Sequence, residues 1–142
     1  MQVRHVMSSP VIRIGAEESV SVAARTLTHY NIGVLPVCGS DGRLCGVVTD
    51  RDIVTRCLAA NRSPEDTTVR QIMTSQVFSV KPDMEAGVAA HLMGRQQVRR
   101  LPVVENEKLC GMLSLADLAL SDENAYDAAD ALTEITGNIS HR

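Results

Sequence analysis

The sequence contains almost no aromatic side chains: no Trp, two Tyr and one Phe in 142 residues. Any core must therefore be aliphatic, and the scarcity argues against stacking of bases on aromatic platforms along single-stranded nucleic acid. The formal net charge of -3 and a pI near 5.8 give no global attraction to a polyanion, so general nucleic-acid binding is not expected. No apolar run approaches the roughly 18 residues of a membrane span, and Met1 to Met7 lacks the apolar stretch of a secretory signal; the chain reads as cytoplasmic, with no membrane partner.

Chemistry-bearing constellations are missing as well. Cys38, Cys45, Cys57 and Cys110 form no C-x-x-C pair and no metal-ligand spacing, and small apolar packing is the expected role of Cys45 and Cys110. His5, His29, His91 and His141 show no metal-site spacing, and His29 and His91 fall on helical segments with half-exposed surface roles. No G-x-S-x-G, Walker or Rossmann fingerprint occurs, so neither an enzyme nor an obligatory cofactor or metal is expected.

What is present is a duplication. Val3-Arg4-His5-Val6-Met7 matches Val69-Arg70-Gln71-Ile72-Met73, Val22-Ala23-Ala24 matches Val88-Ala89-Ala90, and Leu35-Pro36-Val37 matches Leu101-Pro102-Val103. The offset is 66 up to the turn at residues 40–43 and 65 after it, so the single deletion falls in a loop, where it costs least. The composition, 44% hydrophobic and 22% charged, suits a globular chain and argues against wholesale disorder. The length suits one domain or two small repeats sharing a core.

The most specific part of the duplication is Leu44 to Ile53, LCGVVTDRDI, returning as Leu109 to Leu118, LCGMLSLADL. Each copy reads as a strand that turns at a hydroxyl residue, Thr49 or Ser114, and starts a helix bearing Asp52 or Asp117 in its first turn. That spacing has two readings. A hydroxyl three residues before an acid is a capping box, which satisfies orphan N–H groups at a helix start. The same groups also suit a nucleotide, with phosphate at the helix start and a ribose diol at the acid.

Around these motifs the first copy reads as a helical lead-in at Val3 to Met7, a strand at Val11 to Ile14, and a helix from Val20 to Tyr30 broken by Asn31 and Gly33. A hairpin of Val34–Cys38 and Leu44–Val48 turns at Asp41-Gly42, and a second helix runs from Asp50 to about Ala60. Polar Asn61 to Asp66 links the copies. The second copy has a strand at Val77 to Val80, a helix at Met84 to Arg95, strands at Arg100 to Val104 and Leu109 to Leu113, and a closing helix from Leu115. Past it, Ala128, Ala131, Leu132 and Ile135 are spaced for one face of a terminal helix that docks on the module or on a partner subunit. The expected divisions are residues 1–62, 63–120 and an acidic helical tail at 121–142.

Over roughly Val3 to Leu120 the chain resembles the tandem CBS domain pair, or Bateman module, of the small stand-alone prokaryotic type; the two glycine-to-aspartate motifs and the two Leu-Pro-Val strands carry the likeness. The resemblance implies an α+β fold of two β-α-β-β-α repeats packed about a pseudo-twofold axis, with clefts between them and a C-terminal helix. It implies a regulatory, energy-sensing role, with AMP, ADP or ATP as ligand and S-adenosylmethionine or NAD as further possibilities. Carried over by position, Asp52 and Asp117 hold ribose hydroxyls, Thr49 and Ser114 meet phosphate oxygens, and backbone near Val11, Val77, Leu35 and Leu101 lines the adenine pockets. A homodimer that transmits occupancy is implied too.

The copies differ before Leu-Pro-Val, where Gly33-Val34 faces Arg99-Arg100 in the second copy. The family often places basic residues here, and an Arg fork can hold a phosphate bidentately, so the Asp117 cleft is expected to bind phosphate better. The other reading of Arg99 and Arg100 is a solvated strand start with a surface ion pair. Arg51 faces either the phosphates or solvent, and Leu115-Ala116 in place of Asp50-Arg51 leaves the second motif fewer polar side chains. The competing function is an interaction scaffold with empty clefts, partnering an enzyme or transporter.

Overall fold

A computed structural model describes residues 1–121 and 123–140, the last three without their side chains; Asp122, His141 and Arg142 of the tail lie outside the described residues. The chain is mixed α+β and forms two compact units, Ile12–Val77 and Met1–Val11 with Phe78–Arg142. The division does not follow the duplication. Each lead-in packs with the other repeat's residues: Val3, fully buried, belongs to the core of the second copy, and Val69 and Ile72 belong to the core of the first.

In the Ile12–Val77 unit, β1 (Ile14–Gly15) pairs parallel to β2 (Val34–Cys38), which pairs antiparallel with β3 (Leu44–Thr49). α1 (Val20–Tyr30) starts at Ser19, whose hydroxyl accepts the Val22 N–H at 3.2 Å, and ends at left-handed Asn31. α2 (Asp50–Asp52) passes into a π-helical turn over Ile53–Leu58, where the Ala59 N–H reaches back five residues to the Val54 carbonyl. The lead-in α3 (Val69–Ile72) follows. Ile14, Val20, Ala23, Leu27, Leu35, Val37, Val48 and Ile53 are among the buried residues of this core.

The other unit holds α4 (Ala86–Gln96), the hairpin of β4 (Arg100–Glu105) and β5 (Lys108–Ser114), α5 (Leu115–Ala119) and α6 (Ala125–Ser140), with a 3-10 turn at Val3–His5. Its hairpin turns through Asn106 and Glu107, both at positive φ, the backbone of a two-residue type I′ connection. The first hairpin has the longer loop, with Gly42 at φ 83°.

Two expected strands come out shorter. The strand at Val11 to Ile14 reduces to Ile14–Gly15, and that at Val77 to Val80 reduces to a single parallel bridge between Val80 and Val103. The second reduction has a physical cause. In the first copy the Ala16 N–H extends the pairing by donating to the Cys38 carbonyl at 3.0 Å; the equivalent residue is Pro82, which has no N–H.

The terminal helix docks on its own unit: Ala128, Ala131 and Ile135 are buried against α4 and α5. Leu132, expected on that face, is 44% exposed instead. The approach is close because α4 offers glycines: a Cβ on Gly94 would lie 3.1 Å from the Ala131 Cα. His91 Nε2 lies 3.0 Å from Asp127 Oδ1 along the same seam. No helix among the described residues is long and apolar enough to cross a membrane.

Candidate functional site

The glycine of each motif is explained by the neighbouring lead-in. The Val47 N–H donates to the Thr74 carbonyl at 2.9 Å and the Thr74 N–H to the Val47 carbonyl at 2.8 Å, so a Cβ on Gly46 would collide with the Thr74 carbonyl oxygen. In the second copy Ser8 and Met112 exchange the same pair of bonds, and a Cβ on Gly111 would strike the Met7 sulfur. At Gly46 the obstacle is backbone, so only glycine lets the segment after α3 lie against the strand; at Gly111 it is chiefly the Met7 side chain.

Beyond the glycine, each strand bulges at its cysteine: Val37 pairs with Gly46 and Cys38 with Leu44, leaving Cys45 between them, and Cys110 sits likewise between Leu109 and Gly111. Both are half-buried against their cores, and the Cys110 thiol donates to the Val103 carbonyl at 3.4 Å. Burial pushes the Cys110 and Cys38 thiols up from their ordinary value.

At the end of β3, Thr49 caps α2. Its hydroxyl accepts the Asp52 N–H at 3.0 Å and its own N–H donates to Asp52 Oδ2 at 3.0 Å, a complete capping box. Asp52 is only 7% exposed. The Thr74 hydroxyl lies 3.3 Å from Oδ2 and 3.4 Å from Oδ1, and Arg56 Nε stands 3.7 Å from Oδ1 while its Nη1 donates to the Met73 carbonyl at 3.1 Å. Neither Thr74 nor Arg56 was expected here from the sequence. Arg51 is exposed, with its N–H bonded to Asp50 Oδ1.

At the end of β5 the Ser114 hydroxyl accepts the Asp117 N–H at 3.0 Å, but the return bond is not made. The half-buried Asp117 carboxylate has no hydrogen-bond or ion-pair partner among the described residues. Ser8 and Ser121 occupy the places equivalent to Thr74 and Arg56, and Ser121 cannot supply a cation. Arg100 stands opposite Ser114 in the β4–β5 register, and the Arg99 carbonyl accepts the Leu115 N–H at 2.8 Å. Arg99, Arg100, Ser114 and Asp117 thus converge at one end of one hairpin, with both guanidinium groups exposed.

The remaining predicted positions fall elsewhere in their units. Leu35 and Leu101 are buried in the two cores, at 0% and 1% exposure, so only their backbone could meet a ligand. Val11 and Val77 are half-buried at the ends of the Met1–Val11 and Ile12–Val77 segments. A cavity of about 520 Å³ beside Gly39 and Arg70, and one of about 160 Å³ beside Asn106 and Arg4, occupy equivalent places at the hairpin turns, the ends opposite Thr49 and Ser114. In the larger one Arg70 Nε bonds Glu17 Oε1 at 2.6 Å.

The CBS domain family matches the chain twice, over residues 3–59 and 69–124. The chain belongs to the CBS domain family. Among CBS relatives, it is 35% identical over 140 residues to CBS domain-containing protein YhcV of Bacillus subtilis, covering 99% of this chain and 96% of that protein. Hypoxic response protein 1 of Mycobacterium tuberculosis is 35% identical over 116 residues, 82% of this chain and 81% of that one. The match to inosine-5'-monophosphate dehydrogenase of Methanocaldococcus jannaschii, 33% identical over 116 residues, takes in only 22% of that enzyme.

Solved CBS structures give the same picture. Hypoxic Response Protein I with two coordinated zinc ions superposes with a TM-score of 0.78 at 34% identity, over 84% of this chain and 97% of that one. The CBS domain pair of protein MJ0100, in complex with 5-methylthioadenosine and S-adenosyl-L-methionine, gives 0.73 at 28% identity, over 84% and 93%. Among the described residues of this CBS chain no three His, Cys, Asp or Glu side chains gather as metal ligands would.

Proposed function

We propose that this CBS chain is a regulatory module that binds an adenosine-containing ligand and passes its occupancy on through a change in subunit pairing. The observation that carries the reading is the Asp117 carboxylate, left without a partner among the described residues beside the Ser114 hydroxyl and the Arg99 and Arg100 strand start. A free carboxylate can accept both hydroxyls of a ribose, and two exposed guanidinium groups can meet phosphate oxygens. The adenosine ligands of the MJ0100 pair support the ligand class. The Arg pair favours AMP, ADP or ATP over S-adenosylmethionine, a cation at its sulfur; NAD belongs in the same test.

A thermal-shift panel of AMP, ADP, ATP, S-adenosylmethionine and NAD tests the reading, because a ligand that binds only the folded state stabilises it by mass action. A shift with a phosphorylated adenosine, lost in Asp117→Ala, is the expected result. Signalling requires a ligand with different affinity for two states of the assembly. A homodimer is the assembly we propose, and sedimentation of a monomer at micromolar concentration would count against it.

The scaffold reading draws on the first motif, whose capping box is complete without any ligand. Recovery of a protein partner, an enzyme or a transporter, that is insensitive to added nucleotide would favour it.

A further inference from the structure

The two motifs are equivalent by sequence and unequal in their chemistry. We infer that adenosine binding is confined to the Ser114–Asp117 motif, one ligand per chain, and that Asp52 is a structural residue; this rests on the nucleotide reading above.

A carboxylate that holds a ribose diol must turn acceptor sites on both oxygens toward the ligand. Those of Asp52 already face donors of the chain itself. Oδ2 takes the Thr49 N–H at 3.0 Å and faces the Thr74 hydroxyl at 3.3 Å, while Oδ1 faces that hydroxyl at 3.4 Å and Arg56 at 3.7 Å. The group is 7% exposed. Two backbone bonds to Val47 hold Thr74 in place, and the Met73 carbonyl holds Arg56, so a diol at Asp52 would compete with donors fixed beside the carboxylate. A buried acceptor already paired gains little by exchanging partners. Val34, opposite Thr49 in register, adds no charge for a phosphate.

None of these obstacles exists at Asp117. Its carboxylate makes no return bond to Ser114, Ser121 replaces the arginine, and Arg100 rather than valine stands opposite the hydroxyl. The duplication has therefore divided the labour: one aspartate fastens a lead-in segment, the other is left to the ligand.

Calorimetric titration of the intact chain with AMP and with ATP, beside thermal unfolding of the same samples, tests this. The expected result is one site per chain, an affinity loss of about tenfold or more in Asp117→Asn with little change in Tm, and the reverse in Asp52→Asn. Should Asp52→Asn not fold, Thr74→Val removes only the hydroxyl and must show the same pattern: lowered Tm, unchanged affinity. Two sites per chain, or affinity lost in Asp52→Asn or Thr74→Val and kept in Asp117→Asn, overturns the inference while leaving the nucleotide reading standing. No uptake by the wild-type chain of AMP, ATP or any other ligand of the panel overturns both.

Discussion

At Asp52 a single carboxylate joins a helix start to a segment more than twenty residues on, through Thr49, Thr74 and Arg56. Asp52→Ala removes the capping box and leaves the Thr74 hydroxyl without its acceptor. The expected cost is about 1–3 kcal/mol, read by urea unfolding, whereas Asp117→Ala should stay within about 0.5 kcal/mol because its carboxylate caps nothing. Gly46→Ala should cost about 1–3 kcal/mol or more, since the added methyl must push the Thr74 carbonyl off the strand. The Thr49–Asp52 spacing is visible in the sequence as a capping box. What separates it from Ser114–Asp117 is only half visible: Arg56 lies four residues past Asp52, a helical pairing distance at which the second copy has Ser121, whereas Thr74 is brought in by the path of the chain after α3, which no local pattern announces.

Among the elements, α6 shows most plainly what periodicity can tell and what it cannot. Ala128, Ala131 and Ile135 are buried as their spacing predicts, but Leu132 is left exposed, and the seam with α4 is tightest where Ala131 lies against Gly94. Ala131→Leu should overpack that seam at a cost of about 1–3 kcal/mol and speed amide exchange in α6 before the rest of the unit opens. Leu132→Ala should be nearly silent in the same measurement. The helices and hairpins were legible from their apolar spacing and turn residues; the short parallel strands were not, since apolar runs at Val11 to Ile14 and Val77 to Val80 resemble strands whether or not a partner edge supplies hydrogen bonds.

Across the whole molecule, the duplication and the compact units are offset from each other by the lead-ins. Val3 belongs to the core of the unit formed by 78–142, and Val69 and Ile72 to that of 12–77. Val3→Ala leaves a buried cavity, and the expected loss of about 1–3 kcal/mol should appear as faster amide exchange in α4, β4 and β5 rather than in the repeat from which Val3 comes in sequence. The duplication is readable in the sequence because it preserves residue order; the exchange is not, since apolar lead-ins of the same pattern could pack in either repeat.

The central claim is that a phosphorylated adenosine binds at Ser114–Asp117. Titrating AMP and ATP calorimetrically into the wild-type chain and into Asp117→Asn tests it most directly. A saturable heat in the wild type that falls away in the variant, at unchanged Tm, is the predicted result; equal binding by both proteins, or by neither, would contradict it.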